Sequence, residues 1–471
     1  MKNAIIVSVA CAFLAACASG PPATEPKGGK SPEEKSYAYV VLGEEGRAVA
    51  RFITHAPSCP SLTLDGSPVA MEVRARPETV ALRPTLSGPA ASKPSAFPVL
   101  VCEKVIPLGT QSASVEGRTL PLPKANVARI VVLGDSGCRI KIADHIFQSC
   151  NDLEAWPFPV VAVAASRTRP DLVLHVGDYH YRENECPAGN PGCAGSPWGY
   201  GWDAWEADFF SPAEPLLAAA PWIVVRGNHE SCNRAGQGWW RFLDPRPFTP
   251  RRDCNLAADD AIGDYSEPYS VPVGSAADAD SQFVVFDSSL VRIAPLKPTE
   301  SMYQNYRVQY ERAFALAGRR AHTFLTNHHP VLGFAPNPAK PGVPFPGNLA
   351  LQSVLATLVP NTLFPQSIDA LISGHVHLFQ VVSFSTGQPP QFVAGNGGDW
   401  LDATLMPVQP GLSPAAGATV SNLTATNRFG FMTIECGDAK WQMIAWDRNL
   451  RPLTACTLAA REATCTPVSP P

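Results

Sequence analysis

The sequence predicts an α/β domain that follows a small all-β domain, and two observations lead to this prediction. After Asn126, apolar runs of strand length recur, and helix-like stretches such as 303–320 lie between some of them. Such runs are typical of strands in a sheet that helices cover. From residue 37 to 124, short β-rich runs alternate with turns that contain Gly and Pro, which is typical of a small antiparallel sandwich. The runs at 429–435 and 440–447 predict a terminal β-hairpin.

The amino terminus has the features of an export signal. A basic Lys2 precedes an apolar run at 4–16, which is shorter than the roughly 20 residues that a membrane-spanning helix needs. The letters LAAC, which end at Cys17, resemble a bacterial lipobox. That resemblance implies a signal peptide at 1–17, a lipidated Cys17 and a lipid anchor in the membrane of the cell envelope, with the outer membrane favoured. Ordinary signal cleavage that leaves Cys17 unmodified is the alternative.

The composition divides the remaining chain and limits its partners. Residues 18–36 are rich in Pro, Gly, Lys and Glu, so they cannot bury a core and are interpreted as a flexible tether. The other predicted segments are the β-sandwich domain at 37–124, the α/β domain at 125–447 and a C-terminal tail at 448–471. The net charge of -4 and the lack of a basic cluster argue against nucleic acid as a partner. Nothing in the sequence indicates a protein partner.

The cysteines also favour an exported protein. The chain has 13 of them, and an odd number remains when Cys11 and Cys17 of the predicted signal peptide are set aside. Neighbouring cysteines suggest the pairs Cys59–Cys102, Cys138–Cys150, Cys186–Cys193, Cys232–Cys254, and Cys456 with either Cys465 or Cys436. None forms the C-x-x-C ligand pairs of a thiol zinc site.

Polar side chains follow most of the buried strand-like runs. In DLVLHVGDYH, at 171–180, a strand that is apolar on both faces ends close to Asp178. Alone, Asp178 would be interpreted as a helix cap or a satisfied core residue. Ligands of α/β sheets, however, collect at the carboxyl ends of strands, and five such motifs at successive strand ends predict one shared site. They supply Asp135 in GDSG, Asp178 and Tyr181 in GDYHY, Asn228 and His229 in GNHE, His328 in NHHP, and His375 and His377 in GHVH.

This ordered set resembles the signature of the metallophosphoesterase superfamily, whose members are also called calcineurin-like phosphoesterases. The resemblance covers roughly 125–447 and implies a two-sheet αββα sandwich. Most members open with Asp-x-His, whereas here Gly137 stands two residues after Asp135. The spacing from Asp178 to Tyr181 is similar to that of the purple acid phosphatase branch. In that branch a tyrosinate replaces the missing His, and an N-terminal β-sandwich is present.

The resemblance implies two metal sites that share one carboxylate. The first metal would be held by Asp135, Asp178, Tyr181 and His377, and the second by Asp178, Asn228, His328 and His375. His375 and His377 are two residues apart, so in an extended segment both project to the same side and can reach neighbouring metals. A carboxylate such as that of Asp178 can bridge two ions.

The implied activity is hydrolysis of phosphate monoesters by water that two metal ions activate. An Fe(III) ion with a divalent partner (Fe, Zn or Mn) is preferred, because a Tyr181 phenolate needs a strong cation and this pair keeps the site positive toward a phosphate ester. His229 is the expected phosphate contact or general acid, and Arg182 and Arg234 are further candidates for phosphate binding. The alternatives are a phosphodiesterase or nucleotidase of the same superfamily and a non-catalytic metal-binding lipoprotein.

Two long loops, at 182–205 and 231–242, are expected to shape the pocket. Their aromatic residues either line a substrate wall or form a local core beneath the loops; they include Trp198, Tyr200, Trp202, Trp205, Trp239 and Trp240. His180 and His329 are weaker candidates for substrate contact.

Overall fold

The computed structural model describes Met1 and residues 35–274, 280–405, 411–437 and 440–468. The predicted signal peptide with Cys11 and Cys17, and nearly all of the predicted tether at 18–36, lie outside the described residues and stay predictions. By its contacts, the described chain from Ser36 onward forms one unit. Within these ranges, no helix has both the length and the apolar composition needed to cross a membrane.

The amino-terminal segment consists of short strands joined by turns, as predicted. Its strands, β1 to β10 in chain order, span Tyr37–Leu42, Ala48–Thr54, Ser61–Leu64, Ser67–Ala70, Glu72–Ala75, Glu78–Val80, Ser95–Phe97, Leu100–Val105, Ala113–Val115 and Arg118–Thr119.

The following segment alternates strands and helices, which confirms the predicted α/β class. Its first part contains β11 (Arg129–Leu133), β12 (Ile140–Lys141), β13 (Ile146–Phe147), α1 (Phe158–Arg167), β14 (Leu172–His175), α2 (Trp202–Trp205), α3 (Ser211–Leu217), β15 (Trp222–Val224), α4 (Gly236–Gly238) and α5 (Asp260–Gly263). The second part contains β16 (Tyr269–Pro272), β17 (Ser281–Val285), α6 (Ser301–Ala317), β18 (His322–Thr326), β19 (Phe334–Ala335), β20 (Phe345–Pro346), α7 (Leu349–Leu358), β21 (Ala370–Ser373), β22 (Phe379–Phe384), β23 (Gln391–Ala394) and β24 (Val420–Thr426). The last strands are β25 (Gly430–Gly437), β26 (Lys440–Asp447), β27 (Pro452–Ala459) and β28 (Glu462–Pro467).

Two mixed sheets form the centre of the fold. In the described chain, the larger sheet has eleven strands in the order β28-β27-β26-β25-β11-β14-β15-β1-β2-β8-β5, and the smaller has seven in the order β16-β17-β18-β21-β23-β22-β24. Strands β11, β14 and β15 run parallel to one another in the larger sheet. Strands β17, β18, β21 and β23 do so in the smaller sheet.

Apolar side chains of each central strand alternate between two cores. In β11, Ile130 and Val132 join a cluster that also contains Phe324 of the opposite sheet, whereas Val131 and Leu133 belong to the cluster that α1 and α3 cover. Helices α6 and α7 cover the outer face of the smaller sheet. Because strand side chains alternate with a period of two, the layers are helix, sheet, sheet and helix, which confirms the predicted sandwich.

The amino-terminal segment continues the larger sheet. Strand β1 lies beside β15, with Val41 opposite Trp222 in parallel register, and β2, β8 and β5 follow in the same sheet. Strands β3, β4, β9 and β10 form a small sheet of their own. One continuous sheet therefore joins the two predicted domains, 37–124 and 125–447, and the boundary between them stays a prediction.

The end of the chain differs from the sequence prediction. Strands β25 and β26 pair as the predicted hairpin, but this hairpin is not terminal. The predicted tail at 448–471 contains β27 and β28, which extend the larger sheet. The inward positions of β27 include Thr454 and Cys456 beside Leu458, so its hydrophobic pattern is too weak to predict a strand.

Disulfides join the predicted cysteine pairs. The structure contains Cys59–Cys102, Cys138–Cys150, Cys186–Cys193, Cys232–Cys254 and Cys456–Cys465. These bonds confirm the predicted pairs and select Cys465 over Cys436 as the partner of Cys456.

Candidate metal centre

The predicted ligands lie after strands of both sheets. In the larger sheet, Asp135 follows β11, Asp178 follows β14 and Asn228 follows β15. In the smaller sheet, His328 follows β18 and His375 follows β21. Because these strands are parallel within each sheet, their carboxyl ends meet at one edge of the sandwich.

Four side chains form a first group around the hydroxyl of Tyr181. Its Oη lies 3.0 Å from Oδ1 of Asp135, 3.0 Å from Oδ2 of Asp178 and 3.1 Å from Nε2 of His377. Nε2 of His377 also lies 3.3 Å from Oδ1 of Asp135. The structure thus brings together the four residues predicted to hold the first metal.

A second group forms around Asn228. Its Oδ1 lies 3.0 Å from Nε2 of His328 and 3.0 Å from Nδ1 of His375. Nε2 of His328 lies 3.0 Å from Oδ2 of Asp178, and ligand atoms of Asp178, His328 and His375 all lie within 4.8 Å of one another. These are the four residues predicted for the second metal.

Asp178 connects the two groups through a single atom. Its Oδ2 lies 3.0 Å from both Oη of Tyr181 and Nε2 of His328. Its Oδ1 accepts a hydrogen bond of 2.8 Å from the backbone N–H of His229. The carboxylate is therefore held in one orientation, with Oδ2 shared between the groups.

Hydrogen bonds on the far side orient two of the imidazole rings. Nδ1 of His328 donates to the carbonyl oxygen of Val176 at 2.8 Å, and Nδ1 of His377 donates to that of Trp400 at 2.9 Å. Nε2 of each ring therefore faces the cluster, which is the orientation that a metal ligand needs.

The local backbone is unusual at three of the predicted ligands. The φ angle is 55° at Asp135, 58° at Asp178 and 70° at His375, a left-handed region that is unfavourable for residues other than Gly. Gly227 of the GNHE motif makes a close approach possible, because a Cβ there would lie 2.1 Å from Oδ1 of Asp178. Positive φ angles also occur elsewhere in the chain, but strained backbone that carries three polar side chains of one buried cluster is typical of a functional site.

The protein's own charges give the cluster strongly shifted pKa values. Burial lowers the pKa of His328, but the Asp178 carboxylate outweighs burial and raises that pKa to about 9. Asp399 acts in the same way on His377 and raises its pKa to about 9. Burial, and next the Asp135 carboxylate, hold the pKa of Tyr181 well above its usual value. The cluster therefore retains protons that bound cations would displace.

Two buried carboxyl groups outside the predicted set hold the loop at 178–181; burial, and next the charge of Asp178, raise the pKa of Glu230 to about 8. Glu230 accepts hydrogen bonds from three successive backbone N–H groups, those of residues 178–180, at 2.9 to 3.2 Å. Asp208 accepts one from the backbone N–H of Tyr181 at 2.6 Å. The GNHE motif points to Glu230, whereas no sequence signal marks Asp208.

Asp399 and Arg139 support His377, and the sequence analysis did not identify either residue. Nη2 of Arg139 donates to Oδ2 of Asp399 at 2.6 Å, and the same oxygen lies 3.3 Å from Nδ1 of His377. The guanidinium of Arg139 lies over the ring of Tyr181, 5.1 Å from its centre. Asp399 ends the strand-end motif GNGGD, which could have indicated it.

The two ring nitrogens of His229 have different neighbours: one is directed at the cluster, and the other contacts a carboxylate. Nε2 lies 3.8 Å from Oδ2 of Asp178. Nδ1 lies 3.0 Å from Oε1 of Glu183 and 3.0 Å from the carbonyl oxygen of His180. Burial, and next the charge of Arg234, hold the pKa of His229 well below its usual value. The lowered pKa favours a neutral ring. Nε2 is directed at the cluster, and Nδ1 contacts these oxygens and also Nη2 of Arg234, 2.6 Å away.

The two predicted phosphate-binding arginines occupy different places. Nε of Arg182 donates to Asp208 at 2.7 Å, and its guanidinium lies 4.9 Å from the centre of a Trp156 ring. Arg182 is thus held by Asp208 and Trp156, and no described hydrogen bond or ion pair joins its side chain to the predicted metal ligands. Arg234 is buried beside His229 in an ion pair with Glu183.

The aromatic residues of the two long loops mostly form a core. Four of them are exposed by 3% or less and belong to the cluster under α1 and α3: Trp202, Trp205, Trp239 and Trp240. These four do not line a substrate wall. His180 is buried beside the same aromatic groups, whereas the ring of His329 lies 4.2 Å from that of His375.

Cys232, Asp260 and Asp264 form another group with ligand atoms within 4.8 Å of one another. Cys232 is bonded to Cys254, so it cannot supply a thiolate, and this group does not fit a metal ion.

The sequence pattern of the calcineurin-like phosphoesterase family matches residues 128–379, which is just over half of the chain. The chain therefore belongs to the calcineurin-like phosphoesterase family. This membership implies a metal-dependent phosphoester hydrolase that uses divalent metal ions.

Two solved structures are similar to this chain, and the first of them supports the fold. The purple acid phosphatase PPD1 isolated from seeds of yellow lupin (Lupinus luteus) aligns with a TM-score of 0.54 and 14% identity, over 90% of this chain and 74% of the lupin protein. PhoD aligns with a TM-score of 0.48 and 11% identity, over 92% of each chain. At 14% identity, the similarity to the lupin enzyme concerns the fold. A comparison with curated protein sequences finds no match.

Proposed function

We propose that this protein hydrolyses phosphate monoesters with a pair of metal ions, in the manner of a purple acid phosphatase. The observation that carries the proposal is the position of Oδ2 of Asp178, 3.0 Å from both Oη of Tyr181 and Nε2 of His328. One carboxylate oxygen shared by two groups of ligands fits a site in which two metal ions lie close together.

The donor atoms support two metal ions of different kinds. The first group offers carboxylates and a buried phenol, and a phenolate there favours a strongly charged ion such as Fe(III). The second group offers two imidazoles and the neutral amide of Asn228, which suit a divalent ion such as Fe, Zn or Mn. The bound ions would neutralise the phosphoryl oxygens and lower the pKa of a water molecule.

His229 is the proposed phosphate contact or general acid. Because its pKa lies well below the usual value, it can protonate the leaving oxygen only after Nε2 has gained a proton. Its Nδ1 lies 3.0 Å from Glu183, so Nε2 is the nitrogen that is free to exchange a proton at the cluster. Burial raises the pKa of Glu183, but the positive charge of Arg234 has the larger effect and holds this pKa well below its usual value. An ionised Glu183 fixes the ring and stabilises its protonated form.

The test combines metal analysis with a panel of esters, applied to the wild type and Asp178→Asn. We expect two ions in each wild-type chain and hydrolysis of phenyl phosphate. Asp178→Asn should lose both ions and at least about 100-fold in kcat, since removing even a residue that supports a metal ligand costs 10 to 100-fold. Wild-type protein that binds two ions and leaves every monoester intact would refute the proposal. Cleavage of diesters alone would replace it by a phosphodiesterase.

The matched control is Asp203→Asn. The Asp203 carboxylate is half-exposed and pairs only with Lys93 among the described ion pairs. This variant should retain both ions and full activity. Equal metal loss in both variants would show that the metals are bound non-specifically.

The protein is also proposed to be exported and anchored to the envelope membrane through a lipid on Cys17. The disulfides support an oxidising compartment. Cys17 itself lies outside the described residues, so its test is biochemical and is given in the Discussion.

A further inference from the structure

An apolar cavity of about 280 Å³ opens beside the second group of ligands. Its walls come from the segments after β17, β18 and β21, from the short strands β19 and β20, and from the start of α7. The residues that matter for the argument are Ile293, His329, Phe334, Phe345, His375 and Val376.

The cavity is continuous with the candidate metal centre. His375 lines the cavity, and its Nδ1 lies 3.0 Å from Oδ1 of Asn228. The ring of His329 also lines the cavity and lies 4.2 Å from that of His375. A molecule held at the second metal position therefore borders the cavity directly.

The cavity wall is apolar and partly exposed. Phe334 and Val376 are buried, whereas Ile293 is 73% and Phe345 is 53% exposed. Among the described lining residues there is no Asp, Glu, Lys or Arg. Exposed apolar side chains around a concave surface are typical of a binding site for an apolar group.

The wall is held by hydrogen bonds and does not depend on a ligand. The backbone N–H of His329 donates to Oγ of Ser288 at 3.1 Å. Phe334 of β19 pairs with Pro346 of β20. Oδ1 of Asn348 accepts from the backbone N–H of Leu351 at 2.9 Å and caps α7. A cavity fixed in this way is prepared for a group of defined size.

We propose that this cavity binds an apolar organic group of the phosphate ester, of the size of one or two aromatic rings, while the phosphate lies at the metal centre. This inference rests on the proposed function and specifies its substrate class. An engineered apolar cavity of about 150 Å³ binds benzene, so the present volume is sufficient. Esters of small polar alcohols gain nothing from the cavity and are the poorer substrates.

The test compares naphthyl phosphate with glycerol phosphate in the wild type, Phe345→Ala and Ile293→Ala. Each variant removes an exposed side chain, so folding should be preserved, and circular dichroism checks this. The ratio of kcat/KM for the naphthyl ester to that for the glycerol ester should fall roughly tenfold through KM, as expected for loss of one buried apolar contact. Because the ratio is compared between proteins, the different reactivity of the two leaving groups cancels.

Leu108→Ala is the matched control. Leu108 is fully exposed and does not line the cavity, so the ratio should equal that of the wild type. An opposite variant, Ala335→Trp, places a ring in the cavity and should reduce the ratio by blocking it. An unchanged ratio in Phe345→Ala, Ile293→Ala and Ala335→Trp would overturn the inference while the proposed function stands.

Direct binding separates the inference from the activity. The fluorescence of naphthol should report binding to the wild type and at least roughly fivefold weaker binding to Phe345→Ala, in proportion to the apolar area removed. Naphthol binding by a protein that hydrolyses no ester would refute the proposed function and leave the cavity assignment in place. Equal naphthol binding by the wild type and Phe345→Ala would overturn the cavity assignment.

Discussion

The hydroxyl of Tyr181 lies 3.0 Å from Oδ2 of Asp178, and both side chains are buried. A phenol in this position can have one of two roles. Either it donates a hydrogen bond to the carboxylate, or a metal ion that the carboxylate also binds displaces the phenol proton. The two possibilities predict different behaviour of the same substitution.

Tyr181→Phe should abolish the visible colour of the iron-loaded protein. We expect the wild type to absorb visible light through charge transfer from the phenolate to Fe(III), and the variant to prefer divalent ions because it lacks the phenolate. Absorption spectra and metal analysis measure both effects. Tyr39→Phe is the control, since Tyr39 is equally buried and its hydroxyl donates to the carbonyl oxygen of Phe242. Colourless, active wild-type protein with two divalent ions would contradict the iron assignment.

His375→Ala and Asn228→Ala should each remove the second metal and leave the first in place. The two residues belong to the group that excludes Tyr181, so the colour should persist while kcat falls by about 100-fold or more. Metal content per chain and absorbance report the two sites separately. His145→Ala, at an exposed position, should change neither. Loss of colour in both variants would show that the two groups are not separate sites.

The pKa values of His328 and His377 predict a pH dependence of the metal-free protein. Both are raised to about 9, so the stability they contribute is complete below pH 6.5 and is lost as the pH rises through 9. The free energy of unfolding of chelator-treated protein should therefore fall by several kcal/mol between pH 6.5 and 9.5, about 3 kcal/mol for each histidine. Denaturant unfolding measures this, and His328→Gln should flatten the profile. A free energy that rises over the same interval would contradict the assignment.

The same two histidines predict proton release on metal binding. A metal ion must displace the protons that these rings hold below pH 9, so the apparent affinity should increase as the pH rises from 6.5 toward 9. Calorimetry in two buffers of different ionisation enthalpy counts the protons. Equal heats in both buffers at pH 7 would exclude this competition.

Glu230→Gln should destabilise the fold more than an exposed substitution of the same type. The carboxylate accepts hydrogen bonds from three successive backbone N–H groups, and an amide NH₂ leaves at least one of them unsatisfied at a cost of about 1 to 3 kcal/mol. Thermal unfolding of metal-free protein measures the loss. Glu311→Gln, on the exposed face of α6, should cost less than about 0.5 kcal/mol. Equal effects would rule out a structural role for Glu230.

Cys17→Ser should release the protein from the membrane or leave an unprocessed precursor, because the attached acyl chains supply most of the affinity for a bilayer. Fractionation of the cell envelope, with the size of the mature chain determined by mass spectrometry, distinguishes these outcomes. A processed variant that still fractionates entirely with the envelope would exclude the lipid anchor.

The strand-end motifs were predictable because each lies within a few residues of a strand whose apolar pattern is strong. Asp135, Asp178, Asn228 and His328 needed only the rule that carboxyl ends of parallel strands meet at one edge. Asp208 was not predictable, because it contacts the Tyr181 loop from a helical segment with no motif of its own.

Adjacency in sequence misled the interpretation of Arg182. It follows Tyr181, but its guanidinium pairs with Asp208 and not with a predicted metal ligand. Glu183, one residue further on, contacts His229 instead. In an irregular loop, the local backbone conformation decides which of several neighbouring side chains reaches the site. The amino-acid composition of the loop does not reveal that conformation.

The pairing of β1 with β15 bears on how this protein can have diversified. Strand β1 lies between β15 and β2, and the loop that follows β15 carries Asn228 and His229. Recombination can therefore not exchange the amino-terminal segment freely, because a replacement must supply a strand of matching length and twist next to the loop that carries Asn228 and His229. We therefore expect substitutions in the amino-terminal segment and substitutions at the site to have accumulated together during evolution.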